Sequence, residues 1–351
     1  MSESLKLIFV TGASGFLASH IIHELTEQGY RVRASARRNK LEPLRALYRS
    51  TPSVEIVEIA DVAHGNFEEV FKDVDAVIHT ASPLPGREDV DTMLRSAIDG
   101  SLNVLKQAEQ VGVKKFIVTS STAAVTGDPK VVGVSFRAEH WNPVTKAQAK
   151  LGTASATYAA AKKYAELAVW EWAEANPHVD VTTINPPFIY GPFPPLRLPV
   201  APGNFSALST DMMVYTLLSP TGAYPPSVGY ADFRDVAKVH VGALRTPPTV
   251  QGRKRVLLSS PDGLDFKAIF DAIKKARPEV EGRLTKLPPP LYPFDRYDID
   301  FERVEEVTGV KKADFHTTEE TIVDTVNALL DLEKTWTESG FVVPEVIPSA
   351  I

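Results

Sequence analysis

The stretch Leu5-Lys-Leu-Ile-Phe-Val-Thr-Gly-Ala-Ser-Gly-Phe-Leu-Ala18 decides the fold. It runs from an apolar segment through Gly12 and Gly15 into a helical pattern that begins at Phe16. Gly12 permits a tight turn between strand and helix, Gly15 lets a pyrophosphate approach the backbone, and small Ala18 lets the helix pack closely on the strand. The unpaired N–H groups at the start of such a helix bind phosphate oxygens. The stretch therefore predicts a dinucleotide-binding strand–turn–helix unit, with a plain turn as the alternative.

Short apolar runs continue to alternate with helical patterns through the first 190 residues. The runs are rich in Val and Ile and do not alternate between apolar and polar residues, which is typical of strands buried on both faces. The predicted strands are Leu5–Thr11, Arg31–Ala36, Val54–Ala60, Ala76–Thr80, Phe116–Ser120 and Val181–Asn185. The helical patterns are Phe16–Gln28, Val90–Val111 and Tyr158–Ala175. This order predicts an α/β fold with a Rossmann-type doubly wound parallel sheet.

The composition changes after Asn185, where the segment Pro186–Pro202 contains seven prolines. Proline fixes φ and has no N–H donor, so this segment is neither a helix interior nor a central strand. We expect a loop that starts at the end of a strand and lines a ligand cleft, with a domain linker as the alternative. The later patterns predict helices at Asp232–Arg245, Phe266–Arg277 and Glu319–Glu333, and a strand at Arg253–Ser259.

These patterns divide the chain into two predicted units. Residues 1–190, joined by a returning segment at 228–260, form a nucleotide-binding Rossmann domain. Residues 191–227 and 261–351 form a smaller C-terminal substrate-binding lobe. The lobe is too short and too often interrupted by proline for a second full sheet, so we expect it to cover the ligand cleft.

Composition and charge exclude several classes of protein. Lys plus Arg is 38 and Asp plus Glu is 44, so the net charge of −6 argues against a dedicated nucleic-acid or anionic-membrane binder. The absence of cysteine excludes disulfide frameworks, thiol nucleophiles and Cys-ligated metals, and the histidines and carboxylates show no metal-site spacing. The N-terminus does not have the pattern of a secretory signal, and no apolar stretch approaches about 18 residues. We therefore expect a cytoplasmic protein without membrane spans.

A basic cluster follows the second predicted strand, where Arg37, Arg38 and Lys40 stand at and just beyond the end of the run Ser35-Ala-Arg-Arg38. Folds that prefer NAD place Asp or Glu about 20 residues past the glycines, where it binds the ribose 2′-hydroxyl. No acid stands at this place, and a guanidinium can pair bidentately with a 2′-phosphate. The cluster predicts NADP(H) as the cofactor, with a solvated basic loop as the alternative.

Two further segments stand at the ends of predicted strands. Asp61, after the third strand, can accept a hydrogen bond from an adenine amino group. The run His79-Thr-Ala-Ser-Pro83, after the fourth, would pass beneath the cofactor ribose and nicotinamide. A purely structural role is the alternative for both segments.

Three side chains at the same edge of the sheet predict a catalytic group. Tyr158 and Lys162 are four residues apart and share one face of a helix. Ser120 and Ser121 follow the fifth strand. Because the carboxyl ends of parallel strands meet at one edge, these residues and the glycine loop converge on one cleft. A Tyr–Lys pair at this spacing is common by chance, so the prediction depends on the convergence.

This trio fits the reduction of a carbonyl by hydride, which leaves an alkoxide that needs a proton. A free tyrosine has a pKa of about 10, and we expect the adjacent Lys162 ammonium to lower the pKa of Tyr158. The same lysine can hold the hydroxyls of the nicotinamide ribose, while Ser121 hydrogen-bonds and polarises the carbonyl oxygen. The hydride comes from the cofactor.

Together these motifs resemble the extended short-chain dehydrogenase/reductase superfamily. The sequence is most similar to the branch of dihydroflavonol reductase and cinnamoyl-CoA reductase, and within it to the yeast and fungal methylglyoxal, aldehyde and ketone reductases. The resemblance covers nearly the whole chain. It rests on Thr11-Gly-x-x-Gly-x-x-Ala18, Ser35-Ala-Arg37, His79-Thr-Ala-Ser-Pro83, Val118-Thr-Ser-Ser121, Trp141-Asn-Pro143, Tyr158-x-x-x-Lys162, Asn185-Pro186, Gly191-Pro192 and Asp232-Phe-Arg-Asp-Val-Ala-Lys238.

The resemblance implies roles for the matching residues. Ser121 would be the catalytic serine, Tyr158 the proton donor and Lys162 its partner. Arg37 would bind the 2′-phosphate, and Arg38 departs from the plant members, which usually have Asp there. The other expected cofactor contacts are Thr11, Gly12, Ala13, Ser14, Gly15, Phe16 and Leu17 at the pyrophosphate, Lys40 beside Arg37, Asp61 and Val62 at adenine, Thr80, Ala81, Ser82 and Thr119 at the strand ends, Pro186 and Ile189 at the nicotinamide, and Ser206 in the proline-rich loop.

The sequence therefore predicts an NADPH-dependent reductase of small-molecule aldehydes or ketones, as a monomer or homodimer, with no nucleic-acid or membrane partner and no metal. Two other classes stay open: a sugar-nucleotide epimerase or dehydratase on the same scaffold, and a non-catalytic regulator that senses NADP(H). The missing NAD-type acid and the apolar loop around Phe188 and Phe193 weigh against the first. The intact catalytic trio weighs against the second.

Overall fold

Strands and helices alternate along the chain in the computed structural model, which describes residues 6–83, 89–127, 136–227, 229–247, 252–292 and 297–348. The strands are β1 (Leu7–Val10), β2 (Arg31–Ala36), β3 (Val54–Glu58), β4 (Ala76–His79), β5 (Lys115–Thr119), β6 (Asp180–Asn185), β7 (Phe188–Tyr190), β8 (Tyr230–Asp232) and β9 (Lys254–Leu257). The α-helices are α1 (Phe16–Glu27), α2 (Arg38–Leu47), α3 (Val90–Gln110), α4 (Lys146–Leu151), α5 (Ala154–Ala175), α6 (Asp211–Thr216), α7 (Phe233–Gly242), α8 (Phe266–Ala276), α9 (Phe301–Thr308) and α10 (Thr318–Glu338).

Seven strands form one parallel sheet in the order β3-β2-β1-β4-β5-β6-β9. The chain leaves β1 toward β2 and β3 on one side and then returns to place β4 on the other side of β1. This reversal opens a crevice at the carboxyl ends of β1 and β4, where open α/β sheets bind ligands. The Rossmann-type doubly wound parallel sheet predicted from the sequence is confirmed.

Strands β1, β4 and β9 are buried along their whole length, so their sequences do not alternate between apolar and polar residues, whereas the edge strand β3 exposes Glu55 and Glu58. In β1, Leu7 and Phe9 belong to a hydrophobic cluster shared with α3 and α5. Ile8 and Val10 belong to a different cluster, shared with α1 and α7. Successive residues of a strand point to opposite faces of the sheet, so these two clusters are the two layers of helices that sandwich it.

Four helices, α2, α4, α6 and α9, are absent from the sequence prediction. In α2 the apolar pattern is weak, because Leu41 and Leu44 are its only buried residues and Pro43 stands inside the helix. Proline removes a helix hydrogen bond and normally indicates a helix end. The other three have six, six and eight residues, which is too short for a clear period of 3.6.

The expectation that the proline-rich segment is entirely a loop was wrong for three residues. Phe188–Tyr190 forms β7, which pairs in parallel with β8 as a second, two-stranded sheet. Phe188 lies opposite Tyr230 and Tyr190 lies opposite Asp232. These three residues contain no proline, so their N–H groups can take part in the ladder. The small sheet brings the chain after β6 to the start of α7.

A separate hydrophobic cluster joins the segment after β7 to the C-terminal part of the chain. It includes Tyr215 of α6, Ile269 of α8 and Trp336 of α10. The Tyr215 hydroxyl donates to Glu333 at 2.6 Å, and Arg283 pairs with the same carboxylate at 2.5 Å. Two stretches that are distant along the chain therefore share one core beside the main sheet.

Gly242 marks a close approach between α7 and α9, and it generates a prediction about stability. A Cβ on Gly242 would stand 2.1 Å from the backbone oxygen of Thr308, at the end of α9. We expect Gly242→Ala to lower the free energy of unfolding in urea by about 1–3 kcal/mol, because α9 must move to admit the methyl group.

Gly282→Ala is the matched control, because nothing lies within 4 Å of a Cβ at that position. This variant should change the free energy of unfolding by less than about 0.5 kcal/mol. Equal losses in the two variants would contradict the close packing of α7 on α9.

Candidate active site

Four strand ends bring the predicted site residues to one edge of the sheet. Thr11 follows β1, Thr80 follows β4, Ser121 stands two residues after β5, and Pro186 follows β6. These strands are neighbours in the sheet and parallel, so their carboxyl ends face the same side. The structure therefore gathers at the crevice residues that are up to 175 positions apart in the sequence.

The glycine loop is held against the segment after β4 by Thr11. Its hydroxyl oxygen accepts from the N–H groups of Thr80 (2.9 Å) and Ala81 (3.0 Å). Gly12 has φ +76°, and a Cβ there would stand 3.4 Å from Ala81. Gly15 is exposed, and the first N–H groups of α1 have no side-chain cap. The loop has the open, positively polarised form that binds a pyrophosphate.

His79 supports this loop from the interior. Because Thr11 Oγ1 already accepts two N–H bonds, its proton points to His79 Nδ1, 3.0 Å away. On its other side the His79 ring meets Ser101 Oγ at 3.3 Å. Burial lowers the pKa of His79 to about 3, so the ring is neutral at physiological pH. His79 thus has a structural role in this run, and the expected cofactor contacts of the residues after it stay a prediction.

Arg37, Arg38 and Lys40 lie together just beyond β2. Arg37 is the N-cap of α2, and the other two residues stand in its first turn. All three side chains are exposed, and none of them forms an ion pair within the described ranges. The start of a helix also attracts anions. These three cations, which have no carboxylate partner in the described ranges, could hold a phosphate group.

Asp61 is exposed and its carboxylate is already engaged in the turn after β3. One oxygen accepts from the N–H groups of Ala63 (2.8 Å) and His64 (3.2 Å). The hydrogen bond from Ala63, followed by that from the His64 side chain, lowers the pKa of Asp61. Asn103 holds the same turn through the backbone oxygen of Val62 at 3.0 Å. The turn is therefore fixed at the rim of the sheet with Asp61 facing solvent.

Ser121 and Tyr158 meet at the floor of the crevice. Ser121 is buried, and its oxygen accepts from the N–H of Ala123 at 3.1 Å. Its side chain also lies close enough to the Tyr158 hydroxyl to act on the pKa of that phenol. Burial raises the pKa of the Tyr158 phenol, and the interaction with Ser121 offsets only part of that rise. The phenol therefore carries its proton at neutral pH.

Lys162 is buried one helical turn beyond Tyr158. Its Nζ donates to the backbone oxygen of Thr119 at 3.3 Å and lies 6.0 Å from the centre of the Tyr158 ring. Burial lowers the pKa of Lys162 to about 8, although the charge of Glu166 acts to raise it. The expectation that Lys162 lowers the pKa of Tyr158 was wrong for this geometry, because the ammonium is turned toward Thr119 and burial dominates at the phenol.

The segment after β7 lies across the start of α1. His20 Nε2 approaches the backbone oxygen of Pro192 at 3.1 Å, and the rings of Phe16 and Phe193 meet with centroids 5.6 Å apart. The His20 ring also stacks on Phe233 at 5.3 Å. These contacts place the proline-rich segment beside the glycine loop.

Of the remaining residues predicted to contact the cofactor, some lie next to the crevice and one makes only a local contact. Pro186 is buried directly after β6 and accepts from the N–H of Thr122 at 2.9 Å. Ile189 is half-buried in β7 and accepts at its backbone oxygen from Thr210. Ser206 is exposed, and its hydroxyl donates to Asn204 at 3.0 Å. Pro186 and Ile189 thus belong to the wall next to the crevice, whereas the recorded contact of Ser206 is local.

Sequence reasoning missed Glu166, Asn185 and Arg255. All three are buried directly beneath Ser121, and Arg255 pairs with Glu166 at 2.7 Å. The spacing of Glu166, four residues after Lys162 on the same helix, is the signal that could have found it.

Neither a metal centre nor a membrane span is found in the part of the chain that the structure describes. Its His, Asp and Glu side chains form no group of three or more that could hold a metal ion. Its helices include none with the length and apolar character needed to cross a membrane.

Comparison with known proteins identifies the family of the chain. The model of the NAD dependent epimerase/dehydratase family matches residues 8–257. An uncharacterized oxidoreductase of Schizosaccharomyces pombe is 33% identical over 349 aligned residues, with 92% of this chain and 97% of that protein covered. The NADPH-dependent methylglyoxal reductase of Saccharomyces cerevisiae is 29% identical, with 93% and 98% covered.

A solved structure extends the similarity to three dimensions. The crystal structure of yeast methylglyoxal/isovaleraldehyde reductase complexed with NADPH superposes with a TM-score of 0.79 at 27% identity, over 93% of this chain and 99% of that chain. The resemblance stated from the motifs is therefore confirmed. The chain belongs to the NAD dependent epimerase/dehydratase family, the extended short-chain dehydrogenases/reductases.

Proposed function

We propose that this protein is an NADPH-dependent reductase that converts a small aldehyde or ketone into an alcohol, with Tyr158 as the proton donor. The observation that carries the proposal is the meeting of Ser121 and Tyr158 at the strand edge that also carries the glycine loop. The relatives named for methylglyoxal and isovaleraldehyde reduction support carbonyls as the substrate class.

The residues present fit NADPH. The start of α1 offers N–H groups that no side chain caps, and Gly12 has the positive-φ form that allows a close backbone approach. Arg37, Arg38 and Lys40 offer positive charge without a carboxylate partner among the described residues, as a 2′-phosphate requires. Asp61 and Val62 would flank the adenine, and Thr80, Pro186 and Ile189 would line the path to the nicotinamide. Lys162 would hold the ribose hydroxyls beside it.

The proton chemistry follows from the burial of Tyr158. When bound, the reduced nicotinamide supplies a hydride to the carbonyl carbon. Ser121 donates a hydrogen bond to the carbonyl oxygen and orients it toward the phenol. Tyr158 then transfers its proton to the oxygen as negative charge develops there. Ser121 favours the phenolate that remains, since its interaction acts to lower the pKa of Tyr158.

The lobe formed by residues 191–227 and 261–351 would close over the substrate, with the Rossmann domain at 1–190 and 228–260 beneath it. Phe193 already contacts Phe16 at the start of α1, and the hydrophobic cluster of the lobe begins at Tyr190. Apolar walls suit a small carbonyl compound and exclude water from the reacting atoms.

One experiment tests both the NADPH-dependent reduction of carbonyl compounds and the role of Tyr158 as proton donor. The parent protein should oxidise NADPH with a panel of aldehydes, β-keto esters and diketones, and not with UDP-sugars, which an epimerase would accept. Tyr158→Phe should lower kcat by about 10²–10⁴-fold while NADPH binding persists, because the general acid is lost.

Tyr164→Phe is the control on the same helix, since Tyr164 contacts Lys146 and Lys163 rather than Ser121. It should keep the activity of the parent. Near-normal turnover by Tyr158→Phe would refute the role of the phenol, and a parent that oxidises no NADPH with any carbonyl would favour the sensor or epimerase alternative.

Arg37 should determine the choice between NADPH and NADH. Arg37→Ala should raise KM for NADPH by about 10–100-fold and leave KM for NADH nearly unchanged, because only the 2′-phosphate bond is lost. Arg31→Ala is the control, since Arg31 is exposed at the opposite end of β2. Unchanged discrimination after Arg37→Ala would show that the basic cluster is only solvated.

The pH dependence should report Lys162. Its pKa is lowered to about 8 by burial, so the ammonium is present below that pH and is lost above it. Because burial raises the pKa of Tyr158, the phenol stays protonated through the same range. We therefore expect kcat/KM for NADPH to fall as the pH rises through about 8.

Lys163→Met provides the control for this profile, because Lys163 donates to the backbone oxygen of Val144, away from Tyr158. It should keep the alkaline decline, whereas Lys162→Met should be weakly active without it. A parent profile that is flat to about pH 10 would contradict the need for a charged Lys162.

A further inference from the structure

Glu166 is the most heavily hydrogen-bonded carboxylate beneath the active site. It lies one turn beyond Lys162 and two turns beyond Tyr158 on α5, and its side chain is fully buried. Oε1 accepts from Arg255 Nε (2.7 Å), Thr183 Oγ1 (2.8 Å) and Trp170 Nε1 (3.4 Å), and Oε2 accepts from Ser120 Oγ (2.7 Å), Asn185 Nδ2 (2.8 Å) and Arg255 Nη2 (3.1 Å).

These bonds keep Glu166 charged in the interior. Burial acts to raise its pKa, but the hydrogen bonds and the charge of Arg255, together with the bonds from Ser120 and Asn185, lower the pKa overall. A buried ion pair is no more stabilising on average than a well-packed apolar pair of the same size. A contribution to folding stability therefore does not by itself explain the Glu166–Arg255 pair. The position of the pair next to Ser120 is more informative.

The Glu166 carboxylate connects the helix of the tyrosine to the strand end of the serine. Ser120, which donates to Glu166, directly precedes Ser121. The Asn185 amide donates both to Glu166 and to the backbone oxygen of Ser121, at 3.2 Å. Movement of the Glu166 carboxylate would change the distance between Ser121 and Tyr158. The proposed proton transfer depends on that distance.

Arg255 also links Glu166 to the segment at residues 138–142. Its Nη1 donates to the backbone oxygens of Ala138 and His140, both at 2.5 Å, and its guanidinium stacks 3.7 Å from the centre of the Trp141 ring. The adjacent Asn142 donates to the backbone oxygen of Ala123, in the turn that begins after Ser121. Residues 138–142 are thus fixed to the turn of the serine through Arg255.

We propose that Glu166 and Arg255 form a positioning pair that sets the distance between Ser121 and Tyr158 and holds residues 138–142 beside the reacting carbonyl. The inference rests on the proposed reductase function and deepens it. Neither side chain touches the substrate or the cofactor; both act through the groups that do. Their loss should therefore slow the chemical step and leave cofactor binding unchanged.

The test compares kcat, the Kd for NADPH and Tm in two variants. Glu166→Gln keeps the shape of the side chain but removes the charge that Arg255 and Ser120 bind. Ser120→Ala removes one hydrogen bond and leaves the ion pair intact, so it stays informative if Glu166→Gln does not fold. We expect kcat to fall by about 10–10²-fold in both, with the larger loss in Glu166→Gln, because small displacements of reacting groups have effects of this size. The Kd for NADPH should stay within about twofold.

Glu174→Gln is the matched control. Glu174 lies on the same helix and pairs with Arg253 at 2.5 Å, but both side chains are exposed. The control should keep the kcat of the parent. A folded Ser120→Ala or Glu166→Gln protein that loses Tm but keeps kcat would overturn the positioning role and leave a structural one. A parent without carbonyl reduction would instead refute the proposed function, and the inference with it.

Discussion

The pairing of β1 with β2 on one side and with β4 on the other is the constraint on which the site depends. It places the turn after β1 directly beside the turn after β4, where Thr11 binds the N–H groups of Thr80 and Ala81. Because every strand of the main sheet runs in the same direction, β5 and β6 end at the same edge. Short side chains such as Ser121 can therefore reach a group that lies along the glycine loop.

Burial then sets the protonation state of the groups at this edge. His79 is neutral because it is buried beside Thr11, and Tyr158 keeps its proton for the same physical reason. Glu166 stays charged only because Arg255 and a ring of hydrogen-bond donors surround it. The protein interior at this edge thus contains both a neutral acid, Tyr158, and a charged ion pair, Glu166–Arg255. In the role that we propose, the ion pair orients the acid without competing for its proton.

The sheet was predictable because buried parallel strands leave short apolar runs, such as Ala76-Val-Ile78 in β4. The bounds of Arg31–Ala36 were predicted correctly. Helix α2 was not predictable, because Pro43 interrupts a weak apolar pattern. The convergence of Ser121 and Tyr158 followed from topology alone. The effect of Lys162 on the pKa of Tyr158 could not be predicted from topology, since it depends on the direction in which the Lys162 ammonium points. Arg255 reaches Glu166 from 89 residues away, which no local pattern indicates. All of the predicted cofactor contacts, including those of Ser206 and Asp61, and the oligomeric state stay predictions.

The most direct test of the account is a crystal structure of the protein with NADP⁺ and the alcohol product of an accepted carbonyl. The account predicts that the Tyr158 hydroxyl lies within hydrogen-bond reach, about 2.6–3.2 Å, of the alcohol oxygen, with Ser121 as the second partner of that oxygen. A product oxygen bound by other groups, with the Tyr158 hydroxyl directed away from the nicotinamide, would contradict it.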